Sequence, residues 1–222
     1  MRLLAVVATE QERAALLRST AAAVAPLGPY RCATTAVADV LVSGIGPAAS
    51  AACAATALAL RGYDLALSVG VCGAFRGTAE VGDTVVATEL VAADLGADSP
   101  EGYLGTSALG WAEDVAPVEP RLLRAVVGRL PSPVTGPVLT VSTVTGTRVR
   151  ADLLAERHGP VAEAMEGWGV LTAARLHGVP VLEVRTVSNL VDDRDTSTWS
   201  FPRAFDALAG VGSALLQEVW WC

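Results

Sequence analysis

An α/β fold, with a mostly parallel or mixed central sheet flanked by helices on both faces, is predicted by three observations. Short buried apolar runs alternate with helix-patterned segments along all 222 residues, the pattern of a sheet covered on both sides. Hydrophobic residues make up 52% and charged residues 18%, which fills a large core and leaves little room for disorder. No internal repeat, low-complexity tract or linker-like stretch interrupts the pattern, so residues 1–222 read as one domain.

Leu3–Ala8 is a continuous apolar run and reads as a buried strand, with a helix over Glu10–Val24 after it. Extended runs follow at Tyr30–Ala36 and Asp39–Ser43. Pro47–Leu60 is alanine-rich with proline in its first turn, a favoured helix start. Asp64–Val71 is the next buried strand and ends in Gly70-Val71-Cys72-Gly73. Valine and threonine make Gly82–Ala93 a strand. Gly96–Pro117 is a long irregular segment, of a length that tends to be functional or mobile. Helices are predicted at Glu119–Leu130, Ala151–His158, Gly167–His177 and Pro202–Val219, and strands at Val138–Val144, Val161–Met165 and Val181–Val187.

Composition narrows the function. The net charge of −7 argues against nucleic acid or an anionic membrane as partner. All sixteen basic residues are arginine, which excludes a lysine Schiff base and a phosphate loop ending in Gly-Lys-Ser/Thr. Cys32, Cys53, Cys72 and Cys222 lie far apart, and His158 and His177 sit in no metal or triad spacing. The apolar run at Leu3–Ala8 is too short for a signal peptide or membrane span, so a cytoplasmic protein is expected.

Ligands of open α/β sheets sit beyond the carboxyl ends of strands, and several such ends carry polar groups here. Glu163-Ala164-Met165-Glu166-Gly167-Trp168-Gly169 delivers one carboxylate where a strand turns into a helix. Met165 beside Glu166 offers an apolar surface next to an acceptor pair, which suits a ribose with two hydroxyls. Glu166 is costly to bury unpaired; it either contacts a ligand or pairs with Arg175 or Arg185. Val184-Arg185-Thr186-Val187-Ser188-Asn189 ends a second strand on a polar cluster, although asparagine is also a common turn residue. Glu12 follows the first strand. It has capping-box spacing to Thr9, yet also faces the same crevice as Glu166. Ser43-Gly44-Ile45-Gly46-Pro47-Ala48-Ala49 matches a dinucleotide pattern, but Asp64 precedes its strand instead of ending it. A tight turn with an anion- or water-binding helix start is the other reading. Gly70–Gly73 is either a crowded turn or a close backbone approach to a flat ligand. Cys72 lacks a histidine base and reads as a small apolar group.

In this order the segments resemble the purine nucleoside phosphorylase and nucleosidase superfamily. The nearest group is the methylthioadenosine/S-adenosylhomocysteine nucleosidases and their relative, futalosine hydrolase. The first strand with Glu12 resembles the family's Ala-Met-Glu-Glu-Glu start, and Val42–Gly46 its Ser-Gly-Ile-Gly turn. Ser68–Gly73 resembles its base-binding turn, Ala164-Met165-Glu166 its Met-Glu pair, and Arg185–Asn189 its Arg-x-Ile-Ser-Asp strand end. Two departures matter. Adenine nucleosidases of the family carry aspartate where this chain has Asn189; an amide presents a donor without needing a proton, which suits a 6-oxopurine. They also carry an aromatic near Gly146-Thr147-Arg148, where this chain has none. Asn189–Trp199 looks like the tail of futalosine hydrolases.

The resemblance implies hydrolysis of an N-ribosidic bond, releasing hypoxanthine from futalosine on a route to menaquinone. Glu12 would be general base for the attacking water, with Arg185 and Ser188 holding that water or its base. Glu166 would bind the ribose hydroxyls, Met165 would pack on the sugar, and Asn189 would stabilise the leaving base. Gly46, Val71, Cys72 and Gly73 would border the nucleoside. Arg148, Arg194 and Arg203 are candidates for the substrate carboxylate, with Trp199 or Phe201 lining an apolar slot. No metal or organic cofactor is implied, and relatives form homodimers or larger assemblies. A nucleoside phosphorylase, an adenine- or inosine-type nucleosidase and a catalytically silent nucleoside-binding module are the alternatives.

Overall fold

Residues 1–221 are described by a computed structural model, in which a ten-stranded mixed sheet is the organising element. Cys222, one of the four cysteines weighed above, lies outside the described residues. The chain runs β1 (Leu3–Val7), α1 (Glu10–Leu16), β2 (Ala23–Leu27), β3 (Tyr30–Thr34), β4 (Ala38–Val42), α2 (Pro47–Leu60), β5 (Leu65–Ala74) and β6 (Thr84–Ala92). It continues through three short strands, β7 (Gly96–Ala97), β8 (Leu104–Gly105) and β9 (Val115–Pro117), to α3 (Pro120–Val127) and β10 (Val134–Thr140). Then come α4 (Arg148–His158), β11 (Ala162–Ala164), α5 (Gly167–Leu176), β12 (Val181–Leu190), a 3-10 turn (Thr196–Thr198) and α6 (Phe201–Leu215).

The sheet order is β11-β10-β6-β12-β5-β1-β4-β3-β2. β1 lies between β4 and β5, parallel to both, and every residue of Leu3–Val7 is buried. A continuous apolar run is what a central parallel strand requires. β5 has two different neighbours on one side. Leu65–Ser68 pair with β1, whereas Gly73 and Ala74 pair antiparallel with β11. That second pairing closes β5, β12, β6, β10 and β11 into a ring and draws their ends together around one crevice. On the sheet, α2 packs against α5 and α1 against α6. Gly169 makes the first contact possible, because a β-carbon there would run into the backbone oxygen of Pro47.

Several boundaries differ from the sequence expectation. The helix expected over Glu10–Val24 stops at Leu16, and residues 23–27 are instead the edge strand β2. Local alanine propensity loses to a hairpin. Leu27 pairs with Tyr30 around Gly28, whose φ of 58° suits glycine, and Pro26 is tolerated because an edge strand can spare its N–H. The strand expected over Asp64–Val71 runs on to Ala74, so Gly70–Gly73 is strand and not turn. β12 likewise extends to Leu190, past a register shift between Val187 and Asn189 that turns Ser188 and Asn189 inward. β10 ends at Thr140 and leaves residues 142–147 as a loop. α4 begins at Arg148 because Thr147 caps it, and α6 ends at Leu215. The irregular Gly96–Pro117 segment contains the β7–β8 pair and the β9 strand.

At the amino ends of the strands, Asp39 is fully buried and accepts from Thr34 (2.8 Å), Tyr63 (2.8 Å) and Arg61 (2.8 Å), and pairs with Arg2. Burial alone would raise its pKa, but these four partners together hold the carboxyl well below the usual aspartate range. Removing one charge of a buried pair costs about 3–5 kcal/mol, so Asp39→Asn is expected to lose about that much stability in denaturant titrations at neutral pH. The sign of the pH effect follows from the depressed value. The contribution is complete above the unfolded pKa, near 4, and is lost as pH falls below it. Melting temperatures of wild type and variant should therefore converge on acidification.

Candidate active site

A cavity of about 300 Å3 opens beyond the carboxyl ends of β1, β5 and β12, where β11 closes the ring. The turn after β1 contributes Ala8 and Thr9, and α1 contributes Glu12; β5 contributes Val71, Cys72 and Gly73; β11 and the turn into α5 contribute Glu163, Ala164, Met165 and Glu166. Ser188 and Asn189 come from β12, and Ile45, Val144, Trp199 and Phe201 complete the wall. The lining is mostly apolar with a few polar groups converging, the usual character of a small-molecule site.

Glu12 both closes a capping box and lines the cavity. Its Oε2 accepts from the backbone N–H groups of Ala8 (3.0 Å) and Thr9 (2.8 Å) and from the Thr9 hydroxyl (3.0 Å), while Thr9 Oγ1 accepts from the Glu12 N–H: a full capping box. Oε1 instead reaches across to β5 and accepts from the Val71 N–H at 2.9 Å. The cap therefore fixes a carboxylate that also lines the cavity.

Glu166 is held from three sides. Its Oε1 accepts from the Gly46 N–H (3.1 Å), and its Oε2 from the Met165 N–H (3.3 Å) and from Arg185 Nη1 (3.2 Å). Ser50 donates to its carbonyl at 2.9 Å. The anion served by the Gly44–Gly46 turn at the start of α2 is thus the protein's own Glu166. Gly46 lines none of the cavity and acts through Glu166, which corrects its expected place beside the substrate. Of the two arginines considered for Glu166, Arg185 makes the pair; Arg175 pairs with Glu113.

Arg185, expected to hold the water or its base, works from below the site. It is fully buried beneath the cavity and lines no part of it. Its Nε donates to Glu183 Oε1 (2.9 Å), Nη2 to Ser68 Oγ (2.7 Å) and Nη1 to Glu166. Burial by itself would lower its pKa, yet Glu183, Glu166 and Glu12 hold the guanidinium protonated. Burial pushes the Glu183 carboxyl up, against the pull of Arg185. Gly70 is the spacer between Glu12 and this arginine. A β-carbon there would collide with Glu12 Oε1 and stand 3.1 Å from Arg185 Nη1.

On the opposite wall, the Ser188 hydroxyl donates to Asn189 Oδ1 (2.8 Å), and Asn189 Nδ2 donates to the Leu190 carbonyl (3.1 Å). An amide nitrogen carries two hydrogens, so one N–H of Asn189 remains for a ligand acceptor. Cys72 lines the cavity, but burial pushes its thiol up to about 12, which leaves it an inert packing group. Trp199 meets Phe201 edge to face at 6.0 Å. Arg194 does not line the cavity; its guanidinium lies 5.2 Å above the Trp199 ring, at the rim. Arg148 is paired with Asp192 and Arg203 lies against Gly82, both outside the lining.

Sequence reasoning missed Ala8, Thr9, Ile45, Val144, Glu163 and Ala164 as wall residues. Glu163 opened the singled-out motif, but its role depends on the β11–β5 pairing, which periodicity does not reveal. Taken together, two carboxylates, an apolar platform and an amide can hold a ribose and a purine and activate a water between them.

The phosphorylase superfamily model matches residues 2–219. A futalosine hydrolase of Streptomyces coelicolor is 47% identical over 190 residues, covering 82% of this chain and 80% of that protein. One from Acidothermus cellulolyticus is 42% identical over 202 residues, covering 89% and 82%. The native structure of futalosine hydrolase of Helicobacter pylori superposes with a TM-score of 0.85 over 97% of each chain. At 18% identity that likeness speaks for the fold alone.

Gly70→Ala should displace the Glu12 carboxylate while leaving the sheet intact. Misplacement by about 1 Å can cost about 100-fold, so nucleoside turnover should fall about that far with an unchanged circular dichroism spectrum.

Proposed function

The chain belongs to the phosphorylase superfamily and, within it, to the futalosine hydrolases, and we propose that it hydrolyses the N-ribosidic bond of futalosine to release hypoxanthine. The observation that carries this reading is the meeting of Glu12 and Glu166, from distant parts of the chain, in one cavity whose far wall holds Asn189.

Glu166 accepts from the ribose 2′- and 3′-hydroxyls while Met165 packs on the sugar. Glu12 takes a proton from a water that attacks C1′. The bond from C1′ to N9 breaks as the ribose becomes cationic, and the electron pair leaves with the base. Asn189 donates its remaining N–H to the base's N7 or O6, both acceptors in hypoxanthine. No arginine lines the cavity among the described residues, whereas three carboxylates do. That charge pattern favours neutral water over phosphate as the nucleophile.

Trp199 and Phe201 form the apolar slot for the substrate's 5′ carboxyphenyl ketone. Arg194 at the rim is the cation placed to meet its carboxylate, in keeping with guanidinium–carboxylate geometry. No described helix is long and apolar enough to cross a membrane. Within this reading the enzyme is cytoplasmic, uses no metal or organic cofactor, and assembles as a homodimer or larger oligomer. Trp111 at 68% exposure and Leu95 at 50%, both in the segment between β6 and β9, support an assembly surface.

Futalosine incubated with the protein should yield hypoxanthine and the free ribosyl product whether or not phosphate is present; a ribosyl 1-phosphate on chromatography would overturn hydrolysis. Glu12→Gln should lower kcat by about 10²–10⁴ with little change in melting temperature. Asn189→Asp should shift kcat/KM toward 6-aminopurine nucleosides by about tenfold, read as the ratio for futalosine and its 6-amino counterpart.

A further inference from the structure

One buried carboxylate in the cavity has no task in the chemistry above. Glu163 is 4% exposed and lines the wall. Its Oε1 accepts from the Thr145 N–H at 2.8 Å and its Oε2 from the Thr145 hydroxyl at 2.6 Å. Among the described residues it forms no ion pair, unlike Glu166 and Glu183 with Arg185 or Asp39 with Arg2 and Arg61. A buried carboxylate without a cation is costly unless further donors reach it. Burial pushes the Glu163 carboxyl up, and the Thr145 hydrogen bonds oppose that rise only in part. Each oxygen keeps a lone pair to accept one more hydrogen bond.

The sheet register says where that donor arrives. Glu163 pairs with Gly73 from one side and Asn189 pairs with the same Gly73 from the other. Adjacent strands lie about 4.8 Å apart, so the two backbones stand roughly 10 Å apart with the Gly73 backbone between them. The Asn189 amide fills the room that this glycine leaves, with Nδ2 3.0 Å from where a β-carbon would stand, and it borders the same cavity as Glu163; a purine whose C6 side faces this wall would meet both groups. A 6-oxopurine carries acceptors at N7 and O6 and a hydrogen-bond donor at N1. A 6-aminopurine has an acceptor at N1.

We propose that Glu163 is a specificity residue that accepts a hydrogen bond from the N1–H of the 6-oxopurine, beside the Asn189 amide. This rests on the hydrolase reading above and names which bases the site accepts. Adenine would bring its N1 lone pair against a carboxylate, which repels it, so the discrimination is built from a repulsive as well as an attractive contact. The alternative is that Glu163 only anchors the 142–147 loop, which carries Val144 into the cavity.

Two measurements decide between them. The first is kcat/KM of wild type, Glu163→Gln and Thr145→Val for futalosine and its 6-amino counterpart. Glu163→Gln should lower futalosine turnover by about tenfold or more and leave the 6-amino substrate unchanged or improved. Thr145→Val, which loosens the loop but spares the carboxylate, should leave the ratio near that of wild type. Equal losses on both substrates in Glu163→Gln would overturn the proposal. The second is calorimetric binding of free hypoxanthine and 1-methylhypoxanthine to wild type, which does not depend on how the variants fold. The methylated base lacks the N1 donor and should bind at least about tenfold more weakly. Equal binding, or binding of neither base, overturns the assignment. Failure of the hydrolase reading shows separately, as no hypoxanthine released from futalosine by wild type.

Discussion

Among the described residues, four carboxylates, Glu12, Glu163, Glu166 and Glu183, are buried around one crevice, with a single guanidinium, Arg185, among them. In a low-dielectric interior such a concentration of negative charge is unfavourable unless each group is separately compensated. Arg185 compensates Glu183 and Glu166 directly, and Glu12 relies on backbone N–H groups of the β1–α1 turn and of β5. The glycines follow from this constraint. Gly70 leaves room between Glu12 and Arg185, and Gly167 lies where a β-carbon would run into the Glu183 carboxylate. The floor of the site is a packed ionic layer, and the substrate meets only its upper surface.

The topology delivers these groups with little freedom. The turn after β1 supplies Thr9, whose capping box with Glu12 fixes that carboxylate, and β5 supplies the Val71 N–H that donates to its other oxygen. The short strand β11 crosses from β10 to β5, which fixes Glu163, Met165 and Glu166 against the ring. Because Gly169 lets α5 settle on α2, the turn before α2 can offer its amide to Glu166. Preorganisation of this kind means a reacting ribose finds its acceptors already oriented, which is where electrostatic catalysis draws its advantage.

Charge compensation of a different purpose sits at the other end of the strands. Asp39, with Arg2, Arg61, Tyr63 and Thr34, ties β1, β4 and the start of β5 together. Every partner there is already engaged within the protein, so no ligand is called for. At the carboxyl ends, Asn189 keeps an N–H and Glu163 keeps lone pairs in reserve. The distinction between a structural and a functional polar cluster is therefore one of unused hydrogen-bonding capacity, not of burial.

Much of this was legible in the chain. Apolar runs alternating with helical segments gave the α/β architecture, because burial on both faces of a parallel sheet writes itself into local composition. Glu12, Glu166 and Asn189 stood out because a polar group closing an apolar strand has few structural reasons to be there. Alanine's helix propensity hides the β2 hairpin, and local sequence reveals neither that Gly46 serves Glu166 instead of the substrate nor that Arg185, and not Arg175, is the partner of Glu166. Those outcomes, like the pairing of Glu163 and Asn189 with Gly73 from its two sides, depend on which distant strand becomes a neighbour. Residue order fixes what each segment can bury, since side-chain chemistry and spacing are local. Which carboxylate is neutralised and which stays available is set by pairings between segments far apart in the chain, and only the closed ring of strands makes them.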